Sequence, residues 1–421
     1  MVFSQTERDG LKKMSVIADI PSMDVSNLAE TGREQVEFAT FLRDIRRDIH
    51  QHPELGFEEY RTSEFVRSIL EQHGLAVTGP LAGTGLYTDI EGIHDGPVIA
   101  YRADMDALPT ADAKSVEYAS RQPGVAHLCG HDAHTAIAIG VALILHRNRE
   151  HLRGTVRVLF QPDEEGTPGG GVNMIREGVL DGVQSIYAIH VDPSLEAGRY
   201  GVLDGPITSS KDRFRICVKA SSTGHSARPH EVVDTVWVAN QIANALYQMV
   251  GRFTDARQAA VLTICRFHAG DAYNVIPEQA ELGGTIRTTD AKERTAINQR
   301  LERIANELAG LYGVEVQVDI EAGAPAVKND PRLTKHVASV IRSFCGEEAV
   351  FHIPLPSMGS EDFGHYLEKI PGMLLRAGTR SGPESAYPLH SDHFDIDEGA
   401  MAPTAALMAH VLRTHLDQEP G

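Results

Sequence analysis

Five side chains in this sequence are of the types that hold borderline divalent metals. Cys129 and His131 lie in the run His127-Leu-Cys-Gly-His-Asp-Ala-His134, Glu165 in Asp163-Glu-Glu-Gly166, His190 in Ala188-Ile-His-Val191, and His390 in Pro388-Leu-His-Ser391. Thiolate, imidazole and carboxylate suit Zn²⁺, Mn²⁺ or Co²⁺ and disfavour Mg²⁺ and Ca²⁺. Five ligands exceed one closed tetrahedral site and suit two adjacent ions, which can activate water and polarise a scissile carbonyl. Glu164, beside Glu165, is left to act as the base that takes the water's proton and passes it to a leaving nitrogen. The pattern is that of a hydrolase. His134 falls on the same helical face as His131 and is a further metal-binding candidate.

The elements around these residues bring them together. Residues 60–73 carry apolar residues at helical spacing, with Gly74 as a stop. Three short apolar runs, 97–101, 155–160 and 185–189, read as buried strands separated by helices near 132–147 and 170–178, hence a largely parallel α/β sheet. The first strand runs into Arg102-Ala-Asp-Met-Asp106, the second into Gln161-Pro-Asp-Glu-Glu165, and the third ends on His190. Ligands of open α/β sheets bind beyond the carboxyl ends of the strands, so three polar clusters at three strand ends converge on one site. Asp104 or Asp106, and by preference Asp106, can hydrogen-bond a ligand imidazole and fix its tautomer.

The pattern changes near Gly205. A strand at 211–220, a helix at 232–250, strands near 259–268 and 278–288, a helix near 290–312 and a strand near 314–320 follow in the order βαββαβ of a split-βαβ, ferredoxin-like sandwich. The expected organisation is an N-terminal extension at 1–35, a catalytic domain at 36–205 and 322–421, and a lid or dimerisation domain inserted at 206–321. The insertion carries His225 and His230 in a Gly- and Pro-punctuated loop, and Asn274 and Arg287 flanking a strand. Arg presents a planar fork suited to a substrate carboxylate.

With 421 residues, 42% of them apolar, the chain can build about two or three domains. A net charge of −19 without a basic run argues against a nucleic-acid partner. Cys129, Cys217, Cys265 and Cys345 are scattered and form no CxxC pair, which suits a reducing compartment. The first 35 residues have neither a signal-peptide pattern nor a membrane anchor, so the expectation is a cytoplasmic protein with no membrane partner.

Taken together, the runs His50-Gln-His-Pro-Glu-Leu-Gly56, Arg102-Ala-Asp-Met-Asp-Ala-Leu-Pro109, Cys129-Gly-His-Asp-Ala-His134, Gln161-Pro-Asp-Glu-Glu-Gly166, Gly224-His225, Asn274-Val-Ile-Pro277, Met358-Gly-Ser-Glu-Asp-Phe363 and Leu389-His-Ser391 resemble the M20 family of metallopeptidases. The match is to its aminoacylase and amidohydrolase branch, which includes hippurate, N-acyl-amino-acid and auxin-conjugate hydrolases. The resemblance implies a zinc-peptidase-like α/β catalytic domain with a mixed sheet, and a homodimer or higher homo-oligomer formed through the inserted domain. It implies two divalent ions per subunit, Mn²⁺ or Zn²⁺ with Co²⁺ or Ni²⁺ as alternatives, held by Cys129, His131, Glu165, His190 and His390. Glu164 is then the general base and acid, and Asp106 matches the Asp of the family's His-x-Asp motif, with Asp104 in place of the His. His225 corresponds to a residue that reaches across the dimer to the oxyanion. Asn274, Arg287 and the Gly359-Ser360 backbone correspond to binders of the substrate carboxylate. The expected reaction is cleavage of the amide of an N-acyl amino acid or similar carboxylated amide; the alternative is another C–N bond, in an aromatic amine, a carbamoyl group or a dipeptide. Leu128, Ala133, Arg228, Gly166-Thr-Pro-Gly169 and Asp392-His393 depart from the commonest family pattern, and none of them removes a catalytic group.

Overall fold

A computed structural model describes residues 33–418. The expected extension lies outside these residues except for 33–35, which belong to the first helix, α1 (Arg33–Gln51). The chain divides into two compact units. One runs to Asp204 and resumes over Asn329–Pro354 and from Tyr366, and the other comprises Gly205–Lys328 and Leu355–His365.

The first unit is built on strands β1 (Val77–Leu81), β2 (Gly85–Glu91), β3 (His94–Asp104), β4 (Arg153–Gln161), β5 (Val183–Glu196) and β6 (Tyr200–Val202), with β11 (Val350–His352) and β12 (Gly372–Arg380) supplied after the second unit. They form one sheet in the order β1-β2-β4-β3-β5-β12-β6-β11. The centre, β4-β3-β5-β12, is parallel and so is the β6-β11 pair at one edge, whereas β1-β2, β2-β4 and β12-β6 are antiparallel. The sheet is therefore mixed, as the resemblance implied, and the parallel reading holds for its middle and for that edge pair. Parallel strands are covered on both faces, which is why β3 and β4 read as apolar runs.

Helix α2 spans Tyr60–Gln72, α3 His131–Arg147, α4 Gly170–Arg176 and, after the second unit, α7 Pro331–Cys345; α3 is buried from His131 through Leu145. A helix apolar all round must lie inside, and α3 packs among α1, the sheet and the C-terminal helix α8 (Met401–Gln418). α1 buries Phe38, Phe41, Leu42, Ile45 and Ile49, and the same stripe carries Arg46 and His50 into the interior.

Those two residues anchor a buried ionic network. Arg46 donates to Asp132 at 2.7 Å, Asp395 at 2.8 Å and Glu398 at 3.1 Å. His50 Nδ1 also meets Asp132 at 2.7 Å. Burial by itself would push the Asp132 carboxyl up, but the charges of Arg46 and His50 hold it well below the usual carboxylate range. A carboxyl depressed in the folded state adds stability above its unfolded pKa of about 4 and loses it on acidification. Arg46→Leu leaves buried carboxylates unpaired and should cost about 3–5 kcal/mol at neutral pH, read by denaturant unfolding. The deficit should shrink as pH falls toward about 4, where a protonated Asp needs no countercharge.

The second unit contains β7 (Ser210–Lys219), α5 (Thr235–Phe253), β8 (Ala260–Ala269), β9 (Gln279–Thr288), α6 (Ala291–Tyr312) and β10 (Glu315–Ala322). The sheet order is β8-β9-β7-β10, antiparallel throughout, with both helices packed on it over Phe214, Ile216, Ile242, Leu246, Leu282 and Leu301. α5 begins at 235 rather than 232 because the Asp234 side chain accepts the Trp237 N–H and caps it there. This unit reaches beyond residue 321: Lys211 exchanges hydrogen bonds with Gly323 and Ala324, and Ile207 bonds Val327 and Ser357, each at 2.9 Å. Those backbone bonds explain why 323–328 and 355–365 belong here and not to the catalytic domain, where the sequence had put them. Among the described residues no helix is long and apolar enough to cross a membrane.

Candidate metal centre and active site

The ends of β3 and β4 lie side by side, with Asp104 opposite Gln161. Pairing of β3 with β5 stops at Arg102 opposite Ala188, so His190 emerges two residues beyond that last pair. β5 itself does not end there; it continues to Glu196 because β12 pairs with it through Arg376–His190 and onward. α3 starts at His131 directly after Gly130, which has φ 92° and sits so close to Val191 that a Cβ would overlap its side chain. Only glycine takes this conformation at such proximity without strain. The N–H of His390 donates to Leu128 O at 2.7 Å, joining the 388–391 turn to the Cys129 run, and His390 itself is left-handed at φ 68°.

These elements gather the five expected ligands in the first unit. Cys129, His131 and His190 form one compact group, Cys129, Glu165 and His390 a second, and His131, Glu164 and Glu165 a third. Cys129 Sγ lies 3.5 Å from His190 Nε2, and His390 Nε2 lies 3.1 Å from Glu165 Oε1. The second approach brings two candidate donors together without the geometry of a hydrogen bond. The first two groups overlap at Cys129, whose thiolate form has lone pairs for more than one ion.

Hydrogen bonding fixes each tautomer. His190 Nδ1 donates to Val191 O at 2.8 Å, and His131 Nδ1 donates to Asp106 through its carbonyl at 2.9 Å and Oδ1 at 3.1 Å. In both rings Nε2 is the atom left toward the cluster. His131 Nε2 and Glu165 Oε1 are buried with no hydrogen-bond partner. Two buried ligand atoms without a hydrogen-bond partner beside a thiol are what a metal site requires and what a plain polar core avoids. His134 is different: Nδ1 donates to Asp104 Oδ1 at 2.7 Å and Nε2 accepts the Val191 N–H at 2.9 Å. Both its nitrogens are used, so His134 braces β5 against β3 while His131 faces the cluster.

Asp106 occupies the position expected of it. Besides His131 it accepts the Glu165 N–H at 3.0 Å through Oδ2, and so holds two candidate ligands from different loops. Asp104 is held in turn by Arg102 at 2.6 Å, and Arg102 reaches Gln161 at 2.8 Å. Electrostatics follow burial. Burial pushes the Cys129 thiol up to about 12. It would lower His131, but Asp104 and Cys129 keep that imidazolium well above its usual range. His190 is driven down by burial and by nearby Arg376. Burial also lifts the carboxyls of Glu59 to about 7 and Asp163 to about 6 and lowers His127 to about 3.

The remaining expected residues lie in the second unit. His225 is exposed on a two-residue strand opposite Val275, its Nδ1 accepting the Ala227 N–H at 3.1 Å, and Ser226 N–H donates to Asn274 O. Arg287 Nη1 donates to Met358 O at 3.4 Å, and Ser209 N–H binds Gly359 O at 2.9 Å, so Arg287 and the Gly359-Ser360 turn are neighbours. Burial lowers the pKa of Arg287. The sequence reading did not reach the ionic network behind the site, nor Glu59, which lies three residues beyond the His50–Gly56 run.

Strand ends converging on thiol, imidazoles and carboxylates define a metal-dependent hydrolase. The model of Peptidase family M20/M25/M40 matches residues 100–414. The N-acetylcysteine deacetylase of Bacillus subtilis is 40% identical over 86% of this chain and 94% of its own length. Thermostable carboxypeptidase 2 of Saccharolobus solfataricus is 37% identical over 89% and 95%. A dinuclear-metal-binding peptidase of this family from Bacillus subtilis superposes with a TM-score of 0.81, at 35% identity over 91% of this chain and 100% of that one. The chain belongs to Peptidase family M20/M25/M40, and is a metal-dependent hydrolase acting on carbon–nitrogen bonds.

Asp106→Ala removes no expected ligand but leaves His131 Nδ1 and the Glu165 N–H without their acceptor. Metal affinity, measured by competition with a chelating dye, should fall about 10–100-fold. His134→Gln should leave the bound metal count unchanged.

Proposed function

We propose that the protein hydrolyses the amide of an N-acyl amino acid, or a similar carboxylated amide, with two divalent ions held by Cys129, His131, Glu165, His190 and His390. The observation that carries this reading is the pair of buried ligand atoms without a hydrogen-bond partner, His131 Nε2 and Glu165 Oε1, around one cysteine with Glu164 alongside. Bound there, the ions supply Lewis acidity toward the scissile carbonyl and bring water to nucleophilic strength near neutral pH. The donor set of thiolate, imidazole and carboxylate fits Mn²⁺ or Zn²⁺, with Co²⁺ and Ni²⁺ also suited.

Glu164 takes the proton of the attacking water and returns it to the departing nitrogen. Arg287 and Asn274, with the backbone of Gly359 and Ser360, bind the carboxylate of the amine half, Arg287 by its fork of donors. His225, whose Nδ1 accepts a backbone N–H, carries its proton on Nε2 and from it donates a hydrogen bond to the developing oxyanion. The preference for a carboxylated amine is supported by two relatives, a deacetylase of N-acetylcysteine and a carboxypeptidase, since both names describe amides whose amine half bears a free carboxylate.

Glu164→Gln should keep its metal and lose about 10²–10⁴-fold in kcat on N-acetyl and N-benzoyl amino acids. Chelation should abolish wild-type activity, and readdition of metal should restore it. Release of ammonia from an aromatic amine, with acyl-amino acids untouched, would favour the alternative C–N bond.

We further propose a cytoplasmic homodimer assembled through the second unit, in which His225 serves the partner's site. Mixing Glu164→Ala protein with His225→Ala protein should then restore part of the activity through heterodimers. No recovery under verified subunit exchange would refute sharing.

A further inference from the structure

Three residues beyond the His50–Gly56 run stands a buried acid, Glu59, to which no role falls in the chemistry above. Glu59 occupies the capping position before α2, yet it does not cap that helix. Glu54 does so instead, accepting the N–H groups of Arg61 at 2.9 Å and Thr62 at 2.8 Å. The Glu59 side chain is fully buried and turned the other way. Its Oε2 accepts the Thr84 hydroxyl at 2.6 Å, and its Oε1 accepts the Asp163 N–H at 2.8 Å.

Asp163 precedes the two glutamates and adopts φ 48°, a left-handed conformation that a non-glycine residue keeps only under restraint. Its carboxylate is wedged between Gly56 and Gly166, where a Cβ at either glycine would overlap it. Its carbonyl accepts the Gly170 N–H at 2.7 Å, and the Glu54 carbonyl accepts the Ala107 N–H at 2.8 Å. The 54–59 segment is thus tied to the exits of both β3 and β4. Of the two N–H groups flanking Glu164, Asp106 holds that of Glu165 and Glu59 holds that of Asp163.

We propose that Glu59 is a positioning residue for the reaction: by accepting the Asp163 N–H it fixes the left-handed turn that leads into Glu164 and Glu165. Asp106 secures Glu165 independently, so loss of Glu59 displaces Glu164 and spares the metal. The inference rests on the hydrolase reading with Glu164 as base.

The test compares Glu59→Leu, Glu59→Gln and Glu164→Gln as metal-loaded enzymes on the best N-acyl amino acid of the panel. A displacement of about 1 Å costs on the order of 10²-fold, so Glu59→Leu should lose about 100-fold in kcat. Its KM should stay within about threefold of wild type and its metal content should be unchanged. Glu59→Gln keeps an oxygen acceptor for Asp163 and should recover kcat to within about threefold of wild type. Unchanged kcat in Glu59→Leu, a loss borne by KM or metal content, or equal impairment of Glu59→Gln would each overturn the proposal. If Glu59→Leu fails to fold, Thr84→Val decides: it frees the far oxygen and should lower kcat at least about threefold at constant KM, whereas wild-type kcat overturns the proposal. An active Glu164→Gln would instead sink the functional reading itself, whatever the Glu59 variants do.

Discussion

The candidate centre depends on one carboxylate that is not itself among the proposed ligands. Asp106 leaves β3 and spends one oxygen on His131 Nδ1 and the other on the Glu165 N–H. Those partners start from different places, the first turn of α3 and the loop after β4. Without a common acceptor nothing local would set their separation. The bonds form where water is excluded, so a charged acceptor is stronger there than in solvent and far more costly to leave unmatched. His131 is thereby presented with its Nδ1 engaged and its Nε2 outward, a choice of tautomer made by the loop and not by the histidine.

Directly next along the helix, Asp132 faces the opposite way, into Arg46 and His50. Adjacent residues thus belong to two electrostatic systems, one awaiting cations and one already neutralised by them. The contrast explains why the same fold buries carboxylates so readily. Behind α3 they are matched by an arginine that is never deprotonated. At the strand ends Arg102 matches Asp104, while burial raises the carboxyls of Glu59 and Asp163. Cations supplied from outside would complete the balance on that side.

Much of this was legible in the sequence, because ligand type and strand periodicity are local properties. The runs before Asp104, Gln161 and His190 showed strand character, and what followed each strand showed the site. Other features depend on partners distant in the chain. Spacing put His134 on the face of His131, but only the Val191 N–H and Asp104 decide that its nitrogens are both occupied. β5 overran its expected end because β12, far downstream, extends its pairing. The return of 355–365 to the second unit rests on backbone bonds to Ile207 and Ser209, which carry no side-chain signature. Glu59 stands directly before α2, yet the N–H groups of that helix are taken by Glu54, five residues earlier, and only the fold shows where Glu59 turns instead.

The proposed ligands are spread from Cys129 to His390, and His390 is fastened to Leu128 by its own backbone. Arg46, near the start, likewise finds Asp395 and Glu398 only near the end. During synthesis on the ribosome, the thiol and the first imidazoles therefore emerge long before the segment that completes the cluster. Until that segment is released, the nascent chain carries an incomplete set of donors and an arginine with only Asp132 of its three carboxylate partners. Loading with metal is in this sense an event of the finished polypeptide, and a product truncated before residue 390 lacks both the last donor and the counterions of the first helix.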